Sequence, residues 1–244
     1  MGRTSLLAAL LGAACAVPIA QAGTVDVFFD NGTTNTTTAL TGFGTTGAQM
    51  DGMRVTAYFS DGTSAAADWA DTGVDSGGVS VGNRFSLNEA GTTFSNNFTL
   101  RNLSPTLSLT RVYIDAGPGD TVFDIDWPTP GSVSEGTPGS ANGQRFVVTS
   151  ANAWDIDATY IDRVSLGAAA PVGDLWRYLD ITFTNVGGFA PGSVITYVTD
   201  TDNLLFAGDL TPVPLPPAVL GGAPLLGLAL VWGSVNRRRT LNAY

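Results

Sequence analysis

The chain has 244 residues, 21 Asp and Glu against 11 basic residues, no His, and a net charge of −10 at pH 7. All its cations are Arg, and its one cysteine is Cys15. These facts exclude imidazole and Schiff-base catalysis and imidazole metal sites, and the acidic balance opposes nucleic acid, whose phosphates need a basic surface.

The N-terminal stretch MGRTSLLAALLGAACAVPIAQAG carries Arg3, then an apolar run from Leu6 to Ala16, then Ala20-Gln21-Ala22. Small residues at Ala20 and Ala22 after such a run mark a signal-peptidase site. The expectation is a signal helix over residues 1–22, cleaved after Ala22. Cys15 sits too early for that product to keep a thiol, and Gly12 stands where a lipobox prefers Leu. The mature chain therefore has no disulfide and no thiol chemistry.

Residues 23–211 read as strands. Thr24–Asp30, Met53–Ser60, Arg84–Leu87, Asn97–Arg101 and Leu107–Asp115 alternate apolar and polar residues with β-branched and aromatic enrichment. Thr121–Trp127 puts Phe123, Ile125 and Trp127 on one face and Asp124 and Asp126 on the other. Gln144–Ser150, Trp154–Leu166, Leu175–Asn185 and Ser193–Asp200 continue the pattern. Asn31–Gly47 is low in complexity and reads as a loop or weak edge strand, and Pro128–Gly143 is the longest loop. No helical period runs through this body. The fold expected is all-β: a single antiparallel β-sandwich, jelly-roll-like, as the ectodomain.

Residues 212–244 are different. Ala218–Val235 contains no charge, and Arg237, Arg238 and Arg239 follow. Eighteen helical residues span roughly 27 Å, enough for a thin bilayer core. The arginines place the far end in the cytoplasm and the body outside.

Val213-Pro214-Leu215-Pro216, the apolar span and the Arg cluster together resemble the VPLPA-type sorting signal, a variant of the bacterial PEP-CTERM signal that exosortases recognise. Pro217 stands where that pattern has Ala. The similarity covers about the last thirty residues. Segments of the body, NRFSLNEAGTTFSNNFTLRNLS and VYIDAGPGDTVFDID, are also similar to stretches of secreted proteins with such tails. The resemblance implies an exosortase cut near Val213–Pro217. It further implies passage through the inner membrane of a Gram-negative bacterium to the envelope, cell surface or extracellular matrix. Signal peptidase, exosortase and the membrane in transit are the processing partners. The role it suggests is structural or binding, within an exopolysaccharide matrix.

Within the body, three Asp-x-Asp pairs are candidates for calcium: Asp124/Asp126, Asp155/Asp157 and Asp200/Asp202. Residues two apart on a strand share a face, and calcium takes six to eight oxygens. Asp200 and Asp202, with Asn203, form the fullest set; the alternative is a solvated acidic face. Asp71-Thr72-Gly73 and Asp75-Ser76-Gly77 match the aspartic-protease triplet. Copies four residues apart cannot face each other across a cleft, so a Gly-rich turn is the better account. The two glutamates, Glu89 and Glu135, lie in Gly-, Ser- or Asn-rich surroundings that read as loops, and nothing selects a glycosidase carboxylate pair. Trp176 and Tyr178 share a face opposite Leu175, Leu179 and Ile181, which marks them as exposed aromatics fit for stacking on a polysaccharide. An aromatic-lined carbohydrate-binding module is thus the alternative to a purely structural role, and a carboxylate glycosidase is a third reading.

Overall fold

The computed structural model describes residues 22–127 apart from 43, then 129–130, 143–167, 170 and 172–213. The strands are β1 (Val25–Asp30), β2 (Asn35–Thr37), β3 (Leu40–Gly42), β4 (Arg54–Phe59), β5 (Ser64–Asp68), β6 (Ala70–Gly73), β7 (Ser76–Val81), β8 (Phe85–Ala90) and β9 (Phe98–Asn102). They continue as β10 (Leu109–Asp115), β11 (Thr121–Asp124), β12 (Val147–Val148), β13 (Ile156–Leu166), β14 (Leu175–Phe183), β15 (Val194–Val198), β16 (Asp200–Leu204) and β17 (Thr211–Pro212). Among the described residues the fold is all-β, in two sheets.

The larger sheet runs β17-β2-β13-β14-β10-β4-β5, with β1 also on β13 and with β11, β16 and β3 branching from β14. The smaller runs β12-β15-β9-β8-β7-β6. One core lies between them. Val55, Ala57 and Phe59 of β4, Val112 and Ile114 of β10, and Leu179 and Ile181 of β14 meet Phe85, Leu87, Phe98, Leu100 and Tyr197 of the smaller sheet. The period-two pattern predicts this face, because alternate strand residues point to opposite sides.

Pairing is antiparallel except along β13, which takes β1 and β2 in parallel. Asp162 adopts a left-handed backbone, φ 62°, midway along β13. β1 matches Ile156–Ile161 before it, and β2 matches Val164–Leu166 after it. The Asp162 Oδ1 accepts the Thr33 backbone N–H at 2.6 Å, holding the turn that carries the chain from β1 to β2. Asn31–Gly47 therefore contributes two short paired strands, β2 and β3, rather than a free loop.

A second, smaller apolar cluster covers the other face of the large sheet: Leu40, Val122, Val164, Leu175 and Leu204, with Leu166 and Leu210 against it. The chain here is buried on both sides. This layer decides where the acidic residues go.

Candidate functional site

β11 and β16 lie side by side and antiparallel, with Asp124 opposite Asp200 and Val122 opposite Asp202. Asp200 and Asp202 share one face of β16 because they are two residues apart. One carboxylate oxygen from each of Asp124, Asp200 and Asp202 lies within 4.8 Å of the others. All three residues are buried, 1%, 1% and 2% exposed. Asp124 and Asp126 are both buried rather than on a solvated face, and Asp126 is held by Arg145 instead of joining the other three.

The carboxylates are held differently. Asp200 Oδ1 accepts from the Thr93 hydroxyl at 2.9 Å and the Thr201 backbone N–H at 2.9 Å. Asp202 Oδ2 is buried with no hydrogen-bond partner among the described residues. Burial pushes the Asp200 carboxyl well above the usual carboxylate range, and the charge of Asp124 adds to it against the two hydrogen bonds. Burial also raises Asp202, followed by the charges of Asp124, Asp200 and Asp174. The arrangement concentrates negative charge where water cannot screen it. It offers three oxygen donors from two adjacent strands, without nitrogen or sulfur.

Asn203 does not join them. It points to the opposite side of β16, where its Oδ1 accepts from Thr45 Oγ1 at 2.8 Å and its Nδ2 donates to the Gln49 carbonyl at 2.9 Å. The strand period puts 200 and 202 on one face and 203 on the other, so Asn203 is corrected from ligand to tether. Asp124 takes its place. The sequence shows Asp124 only as a member of a different Asp-x-Asp pair, and the β11–β16 pairing is what joins the two.

The other acidic motifs have structural work. Asp155 Oδ1 accepts both the Thr24 N–H and the Thr24 hydroxyl at 2.9 Å, fastening the entry to β1. Asp71-Thr72-Gly73 and Asp75-Ser76-Gly77 form the β6–β7 hairpin, in which Asp71 Oδ1 accepts the Gly73 N–H at 2.9 Å. Glu89 is not in a loop: it lies on β8, 1% exposed, beneath the tight 3-10 turn Gly47–Met50. Burial pushes its carboxyl up to about 7; the Gly47 amide opposes this and the Asp75 charge adds to it. That amide acts by proximity alone, since neither Glu89 oxygen makes a hydrogen bond of acceptable geometry.

Trp176 is corrected from exposed platform to core. It is 1% exposed, its Nε1 donates to the Gly173 carbonyl at 2.9 Å, and its ring lies 5.6 Å from Phe29. Where β11 and β13 flank β14, the strand is covered on both faces. Tyr178 remains half-buried at the surface, stacked on Tyr113 at 5.3 Å with the Arg177 guanidinium 4.7 Å over its ring. Tyr113 lies next to Arg111, which faces Tyr58 across the β10–β4 ladder and pairs with Asp180 at 2.6 Å. The outer face of β4, β10 and β14 thus carries Tyr58, Tyr113 and Tyr178 on three neighbouring strands.

At the ends of the body, Ala22 is exposed and Gly23 donates its N–H to the Asn152 carbonyl at 3.0 Å. Val213 is 42% exposed and donates its N–H to the Thr34 carbonyl at 2.8 Å. Ala20, Pro214, Leu215, Pro216, the span 218–235 and Arg237–Arg239 lie outside the described residues. Among the described residues, no helix is long and apolar enough to cross a membrane.

Compared with known proteins, the chain matches no family model, no curated protein and no solved structure.

Proposed function

We propose that the chain is an exported surface or extracellular-matrix protein with a jelly-roll-like β-sandwich ectodomain, sorted and cut by an exosortase. Its role in the envelope or exopolysaccharide matrix is structural or binding. The observation that carries this reading is the order of the tail: Val213-Pro214-Leu215-Pro216, an uncharged span, then Arg237-Arg238-Arg239. The body supports it from the other side. β17 pairs with β2 at the sheet edge, and the motif begins at the next residue. A cut there would release the body without removing a described strand.

The test is the intact mass of the protein from its native host, with and without the exosortase. A mass beginning at Gly23 and ending near Val213–Pro217, only in the strain with the enzyme, is expected. A chain running to Tyr244 in both strains would replace sorting with a plain membrane anchor.

One observation favours carbohydrate binding as the form of that role: the row of Tyr58, Tyr113 and Tyr178 on one outer sheet face. The phenol edges and hydroxyls of this row, beside the Arg111–Asp180 pair, suit a sugar's hydroxyls. The glycosidase reading has less support, because the clustered carboxylates are buried beyond the reach of a polymer.

A further inference from the structure

We propose that Asp124, Asp200 and Asp202 bind one hard divalent cation of the calcium or magnesium class, tying β11 to β16. The proposal stands apart from how the chain is sorted.

Distance comes first. A calcium ion sits about 2.4 Å from each oxygen, so two oxygens on one ion can be separated by no more than about 4.8 Å. The three carboxylates meet that limit among themselves. Donor chemistry comes second. Carboxylate oxygens alone suit calcium, magnesium or manganese and not the ions that seek imidazole or thiolate.

The third point is Asp202 itself. It is 2% exposed, and its Oδ2 has no hydrogen-bond partner among the described residues. Buried carboxylates are satisfied by hydrogen bonds, by cations or by metals. Arginine does not fill the role either. The ion pairs of the described residues join Arg54 to Asp68, Arg111 to Asp180, Arg145 to Asp126 and Arg177 to Asp115, leaving Asp200 and Asp202 out. Asp200 is meanwhile oriented by Thr93 and Thr201, so one ligand is already positioned.

The experiment uses the full chain in mild detergent, stripped with a chelator and then titrated separately with calcium and magnesium chloride. Metal analysis, calorimetry and thermal unfolding are read together. Expected are about one ion per chain and a rise in Tm of several degrees that saturates with ion concentration. The preferred ion is the one with the lower midpoint. Asp202→Asn should abolish the Tm response and, in chelator, melt at or above the stripped wild-type protein, since it removes a repelling charge. Asp68→Asn, an exposed control, should keep the response. Flat titrations of folded wild-type protein with both ions would overturn the proposal. So would a full response in Asp202→Asn. If Asp202→Asn fails to fold, Asp124→Asn is subjected to the same comparison.

Discussion

Arg145 closes on Asp126 from two sides: its backbone N–H and its Nε both donate to Asp126 Oδ1, at 3.1 and 2.6 Å, and its Nη2 donates to the Asp126 carbonyl. Both side chains are largely shielded from water, and the guanidinium also lies 5.7 Å over the Phe29 ring. Removing one member of such a pair strands a charge. Arg145→Met should destabilise the fold by about 3–5 kcal/mol, whereas Arg145→Met with Asp126→Leu should recover most of that loss. Urea unfolding of the two single variants and the double variant measures both numbers. A loss in the double variant equal to the sum of the two single losses would mean the pair is not coupled.

Glu89 makes stability depend on pH. Its carboxyl lies at about 7 in the fold against an ordinary 4.5, so the folded chain holds a proton that the unfolded chain releases. Stability from this group is fully present below about 4.5 and is lost as pH rises through about 7, on the order of 3 kcal/mol in all. Glu89→Gln should flatten that part of the curve. The comparison of variant with wild type isolates Glu89 from Asp200 and Asp202, which move in the same direction. Parallel curves from pH 4 to 8 would show that Glu89 is ionised in the fold.

Gly77 is required by packing. A Cβ there would meet the Gly47 carbonyl oxygen at 2.1 Å and Trp69 Nε1 at 2.2 Å, while Trp69 Nε1 itself donates to that carbonyl at 2.8 Å. Gly77→Ala should cost about 1–3 kcal/mol or more through overpacking, visible as a lower urea midpoint. The second Asp-Ser-Gly triplet thus ends in Gly because a turn crosses it. An unchanged midpoint would show that the turn moves aside freely.

Trp176 and Tyr178 should behave oppositely. Trp176→Ala removes a core ring and should cost about 3–5 kcal/mol. Tyr178→Ala loses a surface stack worth about 1 kcal/mol. Under the carbohydrate reading, Tyr178→Ala should elute earlier than wild type from an affinity gel containing the host exopolysaccharide, with its fold intact by circular dichroism. Unchanged retention would remove Tyr178 from the binding face.

The strands with β-branched and aromatic alternation were legible one by one: Thr24–Asp30, Met53–Ser60, Leu107–Asp115 and Leu175–Asn185 all carry paired strands. β5 and β7 were not, because SAAAD and SGGVSV are small and polar and become strands through their neighbours rather than through their own preference. The parallel pairing of β1 and β2 was equally hidden. It rests on β13, more than a hundred residues further along the chain, where Asp162 separates the two ladders.

The sequence by itself determined the all-β class, the absence of His and Lys chemistry, and the layout of an apolar start and a Pro-motif, apolar, arginine end. Those are properties of composition and local period, which need no partner. Tertiary structure alone decided which acidic residues meet. Asp124 faces Asp200 because β11 and β16 pair in one register, and Asn203 turns away because strand side chains alternate. A second apolar layer, assembled from five separate strands, then removed water from that face and left Asp124, Asp200 and Asp202 as a buried cluster.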